Sequence, residues 1–71
     1  MRILVVEDDL RIAKPLVEDL RHQQHVVDLT NDGVRGWEYA RSQVYDLILL
    51  DDKHLRLNQK PPKTKIGWLL I

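Results

Sequence analysis

The sequence contains no cysteine. That excludes disulfides and thiolate metal sites, and it fits a reducing compartment. No apolar run approaches the roughly 20 residues that cross a bilayer. The short run after Arg2 is cut at once by Glu7-Asp8-Asp9, so it does not read as a signal peptide. A cytoplasmic location is expected. Net charge is also lacking: 11 basic groups balance 11 acidic ones. The balance is uneven along the chain, because residues 53–71 hold five basic groups and no acid. Residues 1–52 hold the other six basic groups and all 11 acids, a net of −5. An acidic face of this kind argues against nucleic-acid binding, and the basic tail is short with its charges spread out. No internal repeat is visible. At 71 residues there is room for one small domain, and chains of this size bury only about 60% of their unfolded surface.

What is present reads as alternating strands and helices. Ile3-Leu4-Val5-Val6 is apolar without alternation, which predicts a strand buried on both faces. Asp9 is placed to cap a following helix. Leu10, Ala13, Leu16, Val17 and Leu20 then recur at helical spacing. Pro15 interrupts that pattern and predicts a bend or a late helix start. Val26-Val27-Asp28-Leu29 reads as a second strand, and Thr30-Asn31-Asp32-Gly33 as a turn. Val34, Trp37, Ala40 and Tyr45 mark a second helix, which Gly36 weakens. Trp37 is expected to cover a helix–sheet seam. Residues 46–51 form a third apolar strand. Strand, helix, strand, helix, strand at this spacing predicts an α/β unit with a parallel sheet. Residues 53–65 hold Asn58, Gln59, Pro61 and Pro62 with little periodicity, and read as loop. Gly67-Trp68-Leu69-Leu70-Ile71 is apolar again, fit for a short strand or a stub on the sheet edge.

Ligand sites on parallel sheets form beyond the carboxyl ends of the strands. Glu7 and Asp8 follow the first strand, and Asp51 ends the third. Carboxylates held close together need a proton or a cation between them. Mg²⁺, a hard cation that prefers oxygen ligands, suits such a cluster. Spacing alone leaves the plainer reading open, in which these acids are caps and solvated loop groups. His22, His25 and His54 show no metal-ligand pattern.

"RILVVEDD" (residues 2–9), "NDGVRGWEYA" (residues 31–40) and "YDLILLD" (residues 45–51) together resemble the receiver domain of bacterial two-component response regulators. This is the CheY-like domain, and the acidic start most resembles the winged-helix, DNA-binding (OmpR/PhoB-like) subfamily. The resemblance covers residues 1–51, the N-terminal half of a receiver. It implies an incomplete flavodoxin-like sheet of about three strands and two helices, in the order 2-1-3, with an irregular tail. Domain limits follow: residues 1–52 as the receiver part, and residues 53–71 as a divergent basic and apolar tail. The resemblance also implies roles. Asp51 matches the phosphoacceptor. Glu7, Asp8, Asp51 and the backbone carbonyl of Lys53 match the Mg²⁺ ligands. A sensor histidine kinase is the implied partner, and the chain is a phosphoacceptor rather than an independent catalyst.

After Asp51 the pattern departs from the family. Asp52 and Lys53 replace an apolar pair, the proline expected near Leu55 is missing, and Gln59 stands where glycine is expected. Residues 53–71 offer no motif counterpart of the Ser or Thr and the Lys that contact the phosphoryl group in receivers. The expectation is a truncated product with impaired transfer and no direct DNA binding. The alternative is a fragment that docks on a kinase or regulator without accepting phosphate. The third strand is expected to leave an open edge, inviting self-association.

Overall fold

The computed structural model describes residues 1–50 and 67–70. It is a four-stranded parallel sheet with a helix on each face. The elements are β1 (Arg2–Val6), α1 (Leu10–His22), β2 (Val26–Thr30), α2 (Gly33–Ser42), β3 (Leu47–Leu50) and β4 (Gly67–Leu70). The strand order is β2-β1-β3-β4. Both neighbours of β1 run parallel to it, with Ile3 opposite Val27 on one side and Leu47 on the other.

The unbroken apolar run of β1 has the predicted consequence. Ile3, Leu4, Val5 and Val6 are each at most 1% exposed. Ile3 and Val5 pack with Val27, Leu49 and Val17 of α1, while Leu16 and Leu20 close the same cluster. Leu4 and Val6 face the other way, into a cluster with Tyr45, Ile48 and Leu50, against which Ala40 of α2 packs. The two helices therefore lie on opposite faces. Parallel connections that step first to one side of β1 and then to the other require this when both crossovers are right-handed.

α1 departs from two expectations. It starts directly after Asp9, not late, and Pro15 sits inside it. Pro15 cannot donate to the Arg11 carbonyl. Both residues are exposed, so water can take that carbonyl. Leu10, read as part of the apolar stripe, is 50% exposed.

The end of α1 carries a strained residue. Gln24 has φ 68°. The Gln24 N–H donates to Arg21 O at 2.9 Å and the His25 N–H to Leu20 O at 3.2 Å. These are the two bonds of a Schellman cap, whose left-handed position favours glycine. Gln24→Gly is therefore expected to stabilise the chain by up to about 1 kcal/mol. A urea midpoint that fails to rise would contradict that backbone assignment.

α2 is shorter than its apolar marks suggested. It ends at Ser42, and Tyr45 lies beyond it in the core. Val34 is 59% exposed. The residue of α2 that is fully buried is Gly36. A Cβ there would lie 2.7 Å from Val6 Cγ2 and 3.2 Å from Thr30 Oγ1. The glycine that weakens the helix is what lets the helix approach the sheet. Trp37 is half-buried and lines an apolar cleft between α2 and the sheet with Val6, Ile48 and Leu50.

The three strands and two helices expected are present, and the apolar end read as a short strand or a stub on the sheet edge forms the strand β4. The outer edge of β3 is not open as expected: Leu47 to Leu50 pair with Gly67 to Leu70. An apolar segment late in the sequence occupies the place left for it. The outermost strands among the described residues are β2 and β4.

Candidate functional site at the carboxyl ends of the strands

Parallel pairing sets the geometry. Val6, the last residue of β1, pairs with Leu50, the last of β3, and with Thr30, the last of β2. The carboxyl ends of β1, β2 and β3 therefore stand side by side. Glu7 and Asp8 follow β1. Asp51 follows β3 by one peptide bond, but Asp51, Asp52 and Lys53 lie outside the described residues.

Glu7 extends the ladder by one step, its N–H donating to Thr30 O at 3.0 Å. Its side chain is turned inward and the residue is 2% exposed. Oε1 accepts the Asp9 N–H at 3.0 Å. A carboxylate this buried needs hydrogen bonds or a cation close by. Asp8 is exposed at the same strand end.

Asp9 is the N-cap of α1, its Oδ1 accepting the Arg11 N–H at 3.0 Å. The Arg11 guanidinium also bonds both Asp9 oxygens, at 3.1 and 3.0 Å. The hydrogen bond to Asp9, and then its charge, hold the exposed Arg11 more firmly protonated. Asp9 thus serves the helix start. Among the described residues, no three His, Asp or Glu side chains gather where a metal could sit. The two described acids, Glu7 and Asp8, are the hard oxygen donors that Mg²⁺ selects, and they stand at one strand end. They fit part of such a site.

The amino-terminal flank of the sheet carries a polar network that sequence reading missed. The Tyr45 hydroxyl donates to Asp28 Oδ2 at 2.5 Å. Arg2 Nη2 lies 3.4 Å from that oxygen, and its guanidinium 5.2 Å from the Tyr45 ring centre. Asp46 Oδ2 accepts the Arg2 N–H at 2.7 Å, and the Asp46 N–H donates to Arg2 O. Burial, then the hydrogen bond to Asp28, push the Tyr45 phenol upward from its ordinary value. The network ties β2, β1 and the entry to β3 together and takes no part in the acidic edge. Its signal was Asp28, the one charged residue in β2.

No family model matches the chain. Curated relatives do. The chain is 46% identical over 50 residues, 70% of its own length, to the response regulator ArlR of Staphylococcus saprophyticus, and covers 23% of that protein. It is 47% identical over 51 residues to the transcriptional regulatory protein DltR of Streptococcus agalactiae, again covering 23%. It is 45% identical over 51 residues to protein RcaC of Microchaete diplosiphon, of which it covers 8%. The chain thus spans less than a quarter of the length of these relatives. No helix among the described residues is long and apolar enough to cross a membrane.

Proposed function

Since this chain is a homologue of bacterial response regulators, we propose that residues 1–52 are the phosphoacceptor part of a receiver domain, with Asp51 as the group that takes the phosphoryl from a sensor histidine kinase. The observation that carries this reading is the pairing of Val6 with Leu50. It brings the acids after β1 beside the strand that leads into Asp51.

Glu7, Asp8, Asp51 and the Lys53 carbonyl would hold Mg²⁺. When bound, the cation supplies positive charge that offsets the carboxylates and the phosphoryl oxygens. The chain's own part is positional. Glu7 is fixed by the Thr30 carbonyl and the Asp9 N–H, so its carboxylate keeps one orientation. The Asp51 carboxylate oxygen attacks phosphorus in line as the P–N bond to the kinase histidine breaks. The departing imidazole keeps the electron pair and takes up a proton. The chain is acceptor and not independent catalyst, and the setting is cytoplasmic. We expect slow uptake. Asp52 and Lys53 put charge where receivers place apolar residues, and residues 53–71 supply no motif counterpart of the Ser or Thr and the Lys that hold phosphoryl oxygens.

Intact-mass spectrometry after incubation with Mg²⁺ and acetyl phosphate tests this, with Asp51→Asn as control. The expected result is a Mg²⁺-dependent gain of about 80 Da, one phosphoryl group, lost in the control. No gain on a folded chain would replace this reading with docking on the kinase without transfer. A gain that persists in the control would remove Asp51 from its role.

A further inference from the structure

Three consecutive acids, Glu7, Asp8 and Asp9, read alike in the sequence, and the structure separates them. Glu7 is 2% exposed, and its Oε1 accepts the Asp9 N–H at 3.0 Å. That bond engages one carboxylate oxygen and leaves Oε2 for a cation. The donor is a backbone group, so its position depends on how Asp9 is held. Asp9 is itself firmly held. Its Oδ1 caps α1 by accepting the Arg11 N–H at 3.0 Å. Its carbonyl accepts the Ile12 N–H at 3.0 Å and the Ala13 N–H at 2.9 Å. Ala13 is 0% exposed, so this first turn is anchored in the core. Arg11 adds a two-point grip on the Asp9 carboxylate from a side chain that is 91% exposed. An ion pair so open to water contributes little, so the cap and the carbonyl bonds carry the positioning.

We propose that Asp9 is a positioning residue for the cation site: through its N–H it fixes the Glu7 carboxylate, and so couples the start of α1 to the affinity for Mg²⁺. The proposal rests on the reading of Glu7 as a Mg²⁺ ligand and adds what keeps that ligand in place. Carboxylates that bind a metal are oriented by a second group, and losing that group typically costs about 10–100-fold in metal affinity. A carboxylate already held at one oxygen also has less freedom to lose when the cation binds. The coupling is reciprocal: a cation that fixes Glu7 steadies the Asp9 N–H, and with it the first turn of α1. Asp9 acts here through its backbone donor and its cap, not through its charge, which Arg11 balances.

The test measures Mg²⁺ affinity by calorimetry on the full chain, with folding checked by circular dichroism. Two double variants keep the native net charge and differ from each other only in the cap. Asp9→Asn with Arg11→Gln retains a capping side chain, since Asn caps as well as Asp. Asp9→Ala with Arg11→Gln does not. The first is expected to stay within about threefold of the native affinity, and the second to lose about tenfold. A synthetic chain with an ester in place of the Asp8–Asp9 amide keeps the cap and lacks only the donor, and it too is expected to lose about tenfold. Saturating Mg²⁺ is expected to slow hydrogen exchange at the Arg11 and Ile12 amides of the native chain, and not at Gln24 beyond the other end of α1. Equal affinities in the two double variants, or native affinity in the ester chain, would overturn the proposal and leave the site standing. Exchange unchanged at Arg11, or slowed equally at Gln24, would overturn the coupling. Glu7→Gln separates the two readings: if it binds Mg²⁺ as tightly as the native chain, the cation is not on Glu7 and the site itself falls. A native chain that takes up no Mg²⁺ overturns both.

Discussion

Leu4→Ala is expected to remove about 2–5 kcal/mol of stability, the range for emptying a fully enclosed leucine site. Leu4 is 0% exposed and sits in the centre of β1. Its side chain packs with Val6, Tyr45, Ile48 and Leu50. Little around it can collapse, because β1 is hydrogen-bonded on both sides and cannot shift toward α2. A chain of this length has about 4–10 kcal/mol in total at ordinary densities of stability. The variant should therefore be partly or wholly unfolded at 37 °C. Circular dichroism with urea measures it directly. A loss below about 1 kcal/mol would mean that the α2 face of the sheet is not the closed core described here.

Gly36→Ala is expected to destabilise by about 1–3 kcal/mol, the usual cost of forcing a methyl into a filled space. Helix propensity alone predicts the opposite sign, a gain of about 1 kcal/mol. The contact decides between them. The new Cβ would meet Val6 Cγ2 at 2.7 Å and Cγ1 at 3.1 Å. Val6 is 1% exposed and cannot rotate away into solvent. Either α2 lifts from the sheet or the Val6 rotamer strains. The Val6→Ala variant should make the same substitution far less costly, so the double mutant is expected to be more stable than the two single losses predict. If Gly36→Ala raises the urea midpoint in the native background, α2 does not approach the sheet as closely as described. A lifted α2 would also loosen Thr30, whose carbonyl holds the Glu7 N–H, so the acidic edge depends on this contact.

Much of the architecture was legible because it rests on local patterns. Short apolar runs at 3–6 and 47–50 without alternation, bounded by charge, read as strands covered on both faces. Asp9 ahead of a helical stripe reads as a cap and is one. The order of elements implies parallel pairing, and the described ends of β1 and β3, Val6 and Leu50, do pair. Of the bend or late start read from Pro15, the late start is absent, because the cost of the missing hydrogen bond depends on whether the orphaned carbonyl meets water, and exposure is not written in the local sequence. Tyr45 misled as a helix mark, since its partners Asp28 and Arg2 lie 17 and 43 positions away. Gly36 read as a weakness, because its benefit lies in Val6, on another element.

The sequence by itself determined the alternation of strands and helices, the two-faced burial of β1, and the place of Glu7 and Asp8 at the carboxyl end of β1. These follow from periodicity, capping chemistry and the handedness of parallel connections, all of them local or general rules. Only the tertiary structure decided that Gly67–Leu70 closes the edge of β3, that Gly36 sets the distance between α2 and the sheet, and that Arg21 of α1 donates to the Val27 carbonyl of β2. Each of these depends on residues distant in sequence meeting at a few ångströms, or on a side chain reaching another element's backbone. Such meetings are fixed by packing and direction in space, which no pattern along the chain encodes.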